Sequence, residues 1–248
     1  MTAGATHKIT LPDSNVPVVE TATLFGISGS VLGGGIAQSG PNPSHTSSLT
    51  GGIYEQFTAL ATYPDTGDYF EVFNDEYMDL SNYIVAVGYA VNTSGNTVTV
   101  IARFDSLGLL DTTFHGTGYV LGANSGFSGG TNNRFTSVAI DSEGRIVVAG
   151  YGYSSDLTSE NQKAFVARYL PSGAIDQAGF HALTDINGVA PPEGSGHSGY
   201  AISPTGGFHG GSDSDDIRDV FWAVAVNEDD EIYAAGSTRH EDNDWTKA

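Results

Sequence analysis

The 248-residue chain carries 29 acidic against 9 basic side chains, a formal charge of −20, with 33 Gly and no Cys. So acidic a surface excludes nucleic acid, whose phosphates are held by Lys and Arg, and makes an anionic membrane face a poor partner; solubility and divalent cations suit it better. No disulfide can brace the fold or report on redox compartment, and no apolar run reaches the roughly 18 residues of a transmembrane helix, so no membrane insertion is expected.

Residues 1–56 are the least regular part. ITLP (9–12) and VPVVETATLFGIS (16–28) read as strands, and the Gly/Ser/Pro stretch 29–52 has the composition of a long surface loop or linker. MTAGATHKIT lacks a basic start followed by an apolar run, so no signal peptide is expected there.

From Phe57 onward the chain repeats itself. Three phrases recur in one order. The first is Phe57-Thr-Ala-Leu-Ala, Phe135-Thr-Ser-Val-Ala and Phe221-Trp-Ala-Val-Ala; the second is Ile84-Val-Ala-Val-Gly88, Ile146-Val-Val-Ala-Gly150 and Ile232-Tyr-Ala-Ala-Gly236. Phe135 to Gly150 and Phe221 to Gly236 both span 15 positions, whereas Phe57 to Gly88 spans 31, so the first copy holds an insertion of 16. The third phrase is Ile101-Ala-Arg103-Phe104 and Val166-Ala-Arg168-Tyr169, with Asp111 and Asp176 each 8 residues after the Arg. An ion pair that recurs in step with the repeat is expected to be structural.

Each phrase is short, rich in Val, Ile, Ala and aromatics and bounded by turn residues, the signature of a strand. Connections such as DSEGR (141–145), NEDDE (227–231) and DSLG (105–108) supply tight turns. No apolar stripe runs at helical spacing for ten residues. The expected fold is therefore all-β, with three or four strands per unit and a Gly-terminated central strand, the pattern of a propeller blade.

FVARYLPSGAID and VIARFDSLGLLDTTFHGTG, each linked to strands of the IVVAG type, resemble the delta-60 repeat of bacterial β-propeller proteins. The resemblance covers roughly Phe57 to Ala248. It implies a β-propeller, or an open portion of one, built from four-stranded antiparallel blades, and says almost nothing about chemistry.

The expected division is 1–56 as N-terminal strands and linker, possible partners in completing a blade, and 57–248 as repeats. The blades are set at about 57–120, 135–180 and an incomplete 219–248. Lys247-Ala248 align with Lys163-Ala164, ahead of the third strand of the blade. Strands from 9–28, another chain, or the remainder of a longer protein would complete that blade; the count of two whole blades and one half favours the longer protein. An unpaired strand edge also recruits other strands, so a homo-oligomer formed through the C-terminal blade edge is a further expectation.

Two long excursions carry the candidate contact residues. The insertion YFEVFNDEYMDL (69–80) sets Tyr69, Phe70, Phe73 and Tyr77 among Glu71, Asp75, Glu76 and Asp79: either a hairpin packing its own aromatics or an acidic, aromatic contact surface. The segment 181–216 holds His181, His197, His209 and the run Asp213, Asp215 and Asp216, with Asp219 beyond. Irregular segments of that length are commonly functional or disordered. Asp213, Asp215 and Asp216 offer alternating hard oxygen ligands of the kind Ca²⁺ takes, although a solvated acidic turn accounts for the same run.

Other motifs carry less. Gly126-Phe-Ser128-Gly-Gly130 matches G-x-S-x-G but sits in a Gly/Asn loop without the strand, elbow and helix that a nucleophile needs. The seven His show no metal-ligand spacing, and Asn92-Thr-Ser is a formal glycosylation sequon. The expected function is a non-enzymatic, extracellular or surface-displayed module that contacts glycan or protein through Tyr69, Phe73, Tyr77, His197 and His209, with Ca²⁺ as the one candidate cofactor. The alternatives are a self-assembling structural subunit and a hydrolase on a propeller scaffold.

Overall fold

The computed structural model describes residues 31–32, 36–37, 54–63, 67–72, 76–122, 132–153, 162–180, 199–202 and 217–240. Among them lie two short strands, β1 (Val31–Leu32) and β2 (Ile36–Ala37), then β3 (Tyr54–Thr62), β4 (Tyr69–Glu71), β5 (Tyr77–Asp79), β6 (Ile84–Val91), β7 (Thr97–Phe104) and β8 (Tyr119–Leu121). The second half supplies β9 (Arg134–Ile140), β10 (Ile146–Tyr153), β11 (Gln162–Tyr169), β12 (Tyr200–Ile202), β13 (Ile217–Val226) and β14 (Ile232–His240). A 3₁₀ turn spans Phe114–Gly116.

These strands form blades. The first is the antiparallel sheet β3-β6-β7-β8, the second is β9-β10-β11-β12, and β13-β14 begin a third. The second and third touch in one sheet only through a parallel step, Gln162 beside Arg218. Every residue of β6 and of β11 is buried, because neighbouring strands flank them and both sheet faces are covered. β6, IVAVGYAV, accordingly reads as a continuous apolar run instead of an alternating one, whereas β11 also buries Gln162, Lys163 and Arg168. The blade cores lie between sheets: Val85, Val87 and Ile101 of the first pack with Phe135, Val138, Ile146 and Val148 of the second. Val147, Ala149 and Val166 in turn pack beneath Phe221, Val224, Val226 and Ile232 of the third.

Three repeated devices explain the three phrases. In each blade the residue after the leading Phe (Thr58, Thr136, Trp222) is the extra residue of a β-bulge, since Phe57, Phe135 and Phe221 pair with Gly88, Gly150 and Gly236 while the residue two positions on takes the next partner. The bulge drives the first-strand backbone against the second strand, where a Cβ on Gly150 would sit only 3.0 Å from Phe135 Cα and closer still to the Arg134 carbonyl oxygen. Only Gly fits there.

The bulge threonines also tie blades together. The Thr58 hydroxyl lies 3.1 Å from Val87 O in its own blade and 2.7 Å from Phe135 O in the next; the Thr136 hydroxyl lies 3.1 Å from Ala149 O and 2.5 Å from Phe221 O. Thr136→Val keeps the shape and removes the tie, so it is expected to lower stability by about 1–2 kcal/mol, read as an earlier urea midpoint with an unchanged slope.

The third device is the expected ion pair. Arg103 is fully buried; its Nε meets Asp111 at 2.6 Å, Nη1 donates to Pro171 O of the next blade at 2.6 Å, and the guanidinium stacks 4.8 Å from the Phe114 ring centre. Arg168 repeats it with Asp176 at 2.8 Å, Gly179 O at 2.5 Å and Phe180 at 5.2 Å.

The second blade extends beyond the expected boundary at 180. The Phe180 carbonyl accepts from Gly199 N at 2.7 Å, as Phe114 O accepts from Gly118 N at 2.7 Å in the first blade. Residues 181–198 are thus an insertion at a closed stem, and the fourth strand, β12, follows it in the register of β8: Tyr200 opposite Ala167 as Tyr119 is opposite Ala102.

Candidate binding surface

The insertion at 69–80 emerges where β3 ends and β6 begins. Tyr63 N–H bonds Tyr83 O at 2.9 Å, and Tyr83 N–H bonds Leu80 O at 2.9 Å, which closes the base. Above it β4 and β5 pair with Tyr69 opposite Asp79, Phe70 opposite Met78 and Glu71 opposite Tyr77. Alternation along a strand sends successive side chains to opposite faces. Phe70, Val72 and Leu80 enter the core shared by the first two blades, and Phe70 packs 5.7 Å from Tyr63 and covers Gly144 of the second blade. That anchoring seats the hairpin on both blades.

The other face is solvent-facing: Tyr69 and Tyr77 are 68% and 62% exposed, and Glu71 and Asp79 are exposed beside them. Cross-strand partners have Cβ atoms about 5 Å apart, so two phenol rings and two carboxylates occupy one small patch in a diagonal arrangement. Hydrogen bonding by Ser81, whose amide N lies 2.8 Å from Asp79 Oδ1, holds the Asp79 carboxyl below its ordinary range. A fixed, ionised acceptor beside an exposed aromatic ring can take hydroxyl hydrogens while the ring covers an apolar C–H face. Both proposed roles of the insertion are thus divided by strand alternation: Phe70 packs inward, and the two tyrosines face out.

Phe73, His197, His209, Asp213, Asp215 and Asp216 lie outside the described residues. The insertion at 181–198 springs from the same end of the blades as the hairpin, whereas 203–216 connects Ile202 to Ile217 at the opposite end, where β3, β9 and β13 begin. Asp219 is placed on β13, fully buried, with Gln162 Nε2 donating to its backbone oxygen at 3.2 Å. Neither of its carboxylate oxygens has a hydrogen-bond partner among the described residues. It occupies the repeat position of Glu55 and Asn133, both also buried. Among the described residues no group of three or more His, Asp or Glu has metal-binding geometry. The turn acids Asp141, Glu143 and Asp230 join one network with Arg145, at 2.6, 2.7 and 3.5 Å, and Asp230 also accepts from Ser142 of the neighbouring blade at 2.6 Å.

One informative position was readable in the sequence and carries no weight until the bulge is known. Trp222 stands where the other two blades have Thr. Its ring is 57% exposed, lies edge-on to Tyr151 at 6.3 Å, and its Nε1 donates to Ser237 at 2.9 Å.

Residues 82–114 and 142–178 match the family model described as "Domain of unknown function (DUF5122) beta-propeller". The two matches fall on the same part of successive blades, β6 through the Phe114 turn and the 141–145 turn through β11 and the turn that holds Asp176. No curated protein gives a significant match to the chain. Together with the antiparallel blades, the matched segments make the fold an all-β propeller, or an open portion of one.

Proposed function

We propose that the chain is a non-enzymatic binding module of delta-60-type propeller repeats, displayed at a surface or outside the cell, and that its β4–β5 hairpin contacts carbohydrate. The observation that carries this is the single exposed face formed by Tyr69, Glu71, Tyr77 and Asp79 on a hairpin pinned from beneath by Phe70, Val72 and Leu80. A tyrosine is a large contact surface with few rotatable bonds, so a pinned pair loses little entropy on binding. The adjoining carboxylates accept from sugar hydroxyls and suit a neutral or cationic glycan better than an anionic one.

The test is an array of immobilised neutral, amino and acidic oligosaccharides probed with the whole chain, followed by calorimetry on the strongest ligand. Tyr69→Ala/Tyr77→Ala is expected to weaken that ligand about tenfold or more, the equivalent of about 1.4 kcal/mol, with an unchanged melting curve because both rings are exposed. An array without any carbohydrate ligand, or equal affinity in the double variant, would remove the proposal. Binding to basic proteins in place of sugars would move the same surface to a protein partner.

A further inference from the structure

The head of β13 carries a group that the repeat leaves unsatisfied. Two residues before the leading Phe, each blade buries an oxygen-bearing side chain: Glu55, Asn133 and Asp219. In the second blade the slot is closed. Asn133 lies over Gly152, where an added Cβ would collide with its Oδ1, and that oxygen accepts from Tyr153 N at 3.2 Å. In the third blade the residue opposite the slot is Thr238, so Asp219 cannot lie across β14 as Asn133 lies across β10. The backbone donor that serves Asn133 is lost to Asp219. Its carboxylate is fully buried, and neither oxygen is hydrogen-bonded among the described residues.

The burial comes from the second blade. Alternation sets Asp219 on the face of Phe221, and Phe221 packs on Val147, Ala149 and Val166 of that blade. Gln162 of β11 stands beside the same strand head and donates from Nε2 to Asp219 O at 3.2 Å. Its Oε1 comes to the same place as a second, neutral oxygen. The adjoining cations face elsewhere. Lys163 follows Gln162 and shares the face of Phe165, which packs in the core with the first blade, and Arg218 precedes Asp219 on the opposite face of β13.

An ionised carboxylate closed off from water, without a donor or a counter-charge, is among the costliest groups a fold can hold. Protonation does not cure this, because the new O–H would itself need an acceptor. A water molecule supplies donors but no charge. A hard cation answers both needs, since it neutralises the group and engages both oxygens.

We infer that Asp219 is a bidentate ligand for Ca²⁺ at the junction of β11 and β13, with Gln162 Oε1 as a neutral ligand and water or backbone oxygens completing the shell. Ca²⁺ takes about six to eight oxygens in flexible geometry, both oxygens of one carboxylate and amide oxygens included. Mg²⁺ demands a tight octahedron and keeps its waters, so an enclosed, bidentate carboxylate suits it poorly. A single acid in the shell sets a low affinity, with a Kd of about 0.1–1 mM. The ion would join the second and third blades at the end opposite the hairpin.

The test is a thermal melt of the whole chain, stripped with chelator, dialysed, and titrated with CaCl₂, MgCl₂ or NaCl at constant ionic strength. The melting temperature of the parent is expected to rise with Ca²⁺ and level off, with a midpoint of about 0.1–1 mM, and to respond little to Mg²⁺ or Na⁺. Asp219→Asn is expected to lose that response. An amide already fills the same slot at Asn133, so the variant folds. Without Ca²⁺ it melts at or above the parent, because the buried charge is gone; at saturating Ca²⁺ it melts below. Gln162→Met, which keeps the volume and removes the oxygen, is expected to raise the midpoint several-fold. Calcium held loosely by the acidic surface would move the parent and Asp219→Asn alike. A parent melt that ignores Ca²⁺, a response of equal size to Mg²⁺, or an Asp219→Asn protein that keeps the calcium response would each overturn the inference.

Discussion

Arg103→Met is expected to lower stability by about 3–5 kcal/mol, the usual consequence of removing one partner from a buried ion pair. The side chain is fully buried, and its three partners belong to different places: Asp111 in the turn of the first blade at 2.6 Å, Thr113 at 3.2 Å and Pro171 O of the second blade at 2.6 Å. Methionine fills much of the volume and leaves the Asp111 carboxylate and the Pro171 carbonyl without their donor. The cost is chiefly that stranded charge. Arg103→Met/Asp111→Leu is accordingly expected to be less damaging than Arg103→Met alone, because no charge is left buried. Arg103→Lys falls short of the parent too, since an ammonium cannot reproduce a fork that spans a carboxylate and a carbonyl in another blade. Urea unfolding of the three variants measures the order directly. Equal stability of the single methionine variant and the parent would show that the pair contributes little.

Gly150→Ala is the second large effect, expected to cost about 3 kcal/mol or more, at or above the upper end of ordinary overpacking. The new methyl meets backbone atoms, the carbonyl of Arg134 and Phe135 Cα, and backbone at a bulge cannot rotate aside as a side chain can. Gly95→Ala serves as the control. It sits in the β6–β7 turn at φ +82° with nothing within 4 Å of the added carbon, so it carries only the left-handed backbone penalty of about 1 kcal/mol. Thermal unfolding should place Gly150→Ala well below Gly95→Ala. The reverse order would mean that the second strand moves away from the bulge without loss.

These two effects also explain how much the sequence disclosed. The Gly that closes each second phrase is dictated by backbone crowding opposite the bulge, and Arg103 with Asp111 by a turn of fixed length, so both recur at constant spacing and were legible as repeats. The fourth strand of the second blade was hidden. Its three residues, Tyr200–Ile202, are too few to show a period, and 181–198 separates them from the strand they pair with. On the hairpin the alternation of Tyr69 and Glu71 with Phe70 and Val72 was present in the letters. Which face turns outward depends on the second blade, where Phe70 covers Gly144, and no local pattern states that. Trp222 was visible as the odd member of the first phrase, but a substitution in a slot acquires meaning only when the slot's task is known. Here that task is a hydroxyl reaching the next blade.

The hairpin's role as the contact surface is tested most directly by amide hydrogen exchange of the whole chain with and without its strongest array ligand. The expected footprint is slowed exchange in 67–83, centred on β4 and β5, with β13 and β14 unchanged. Slowed exchange confined to other segments, with 67–83 unaltered under saturating ligand, would contradict the assignment.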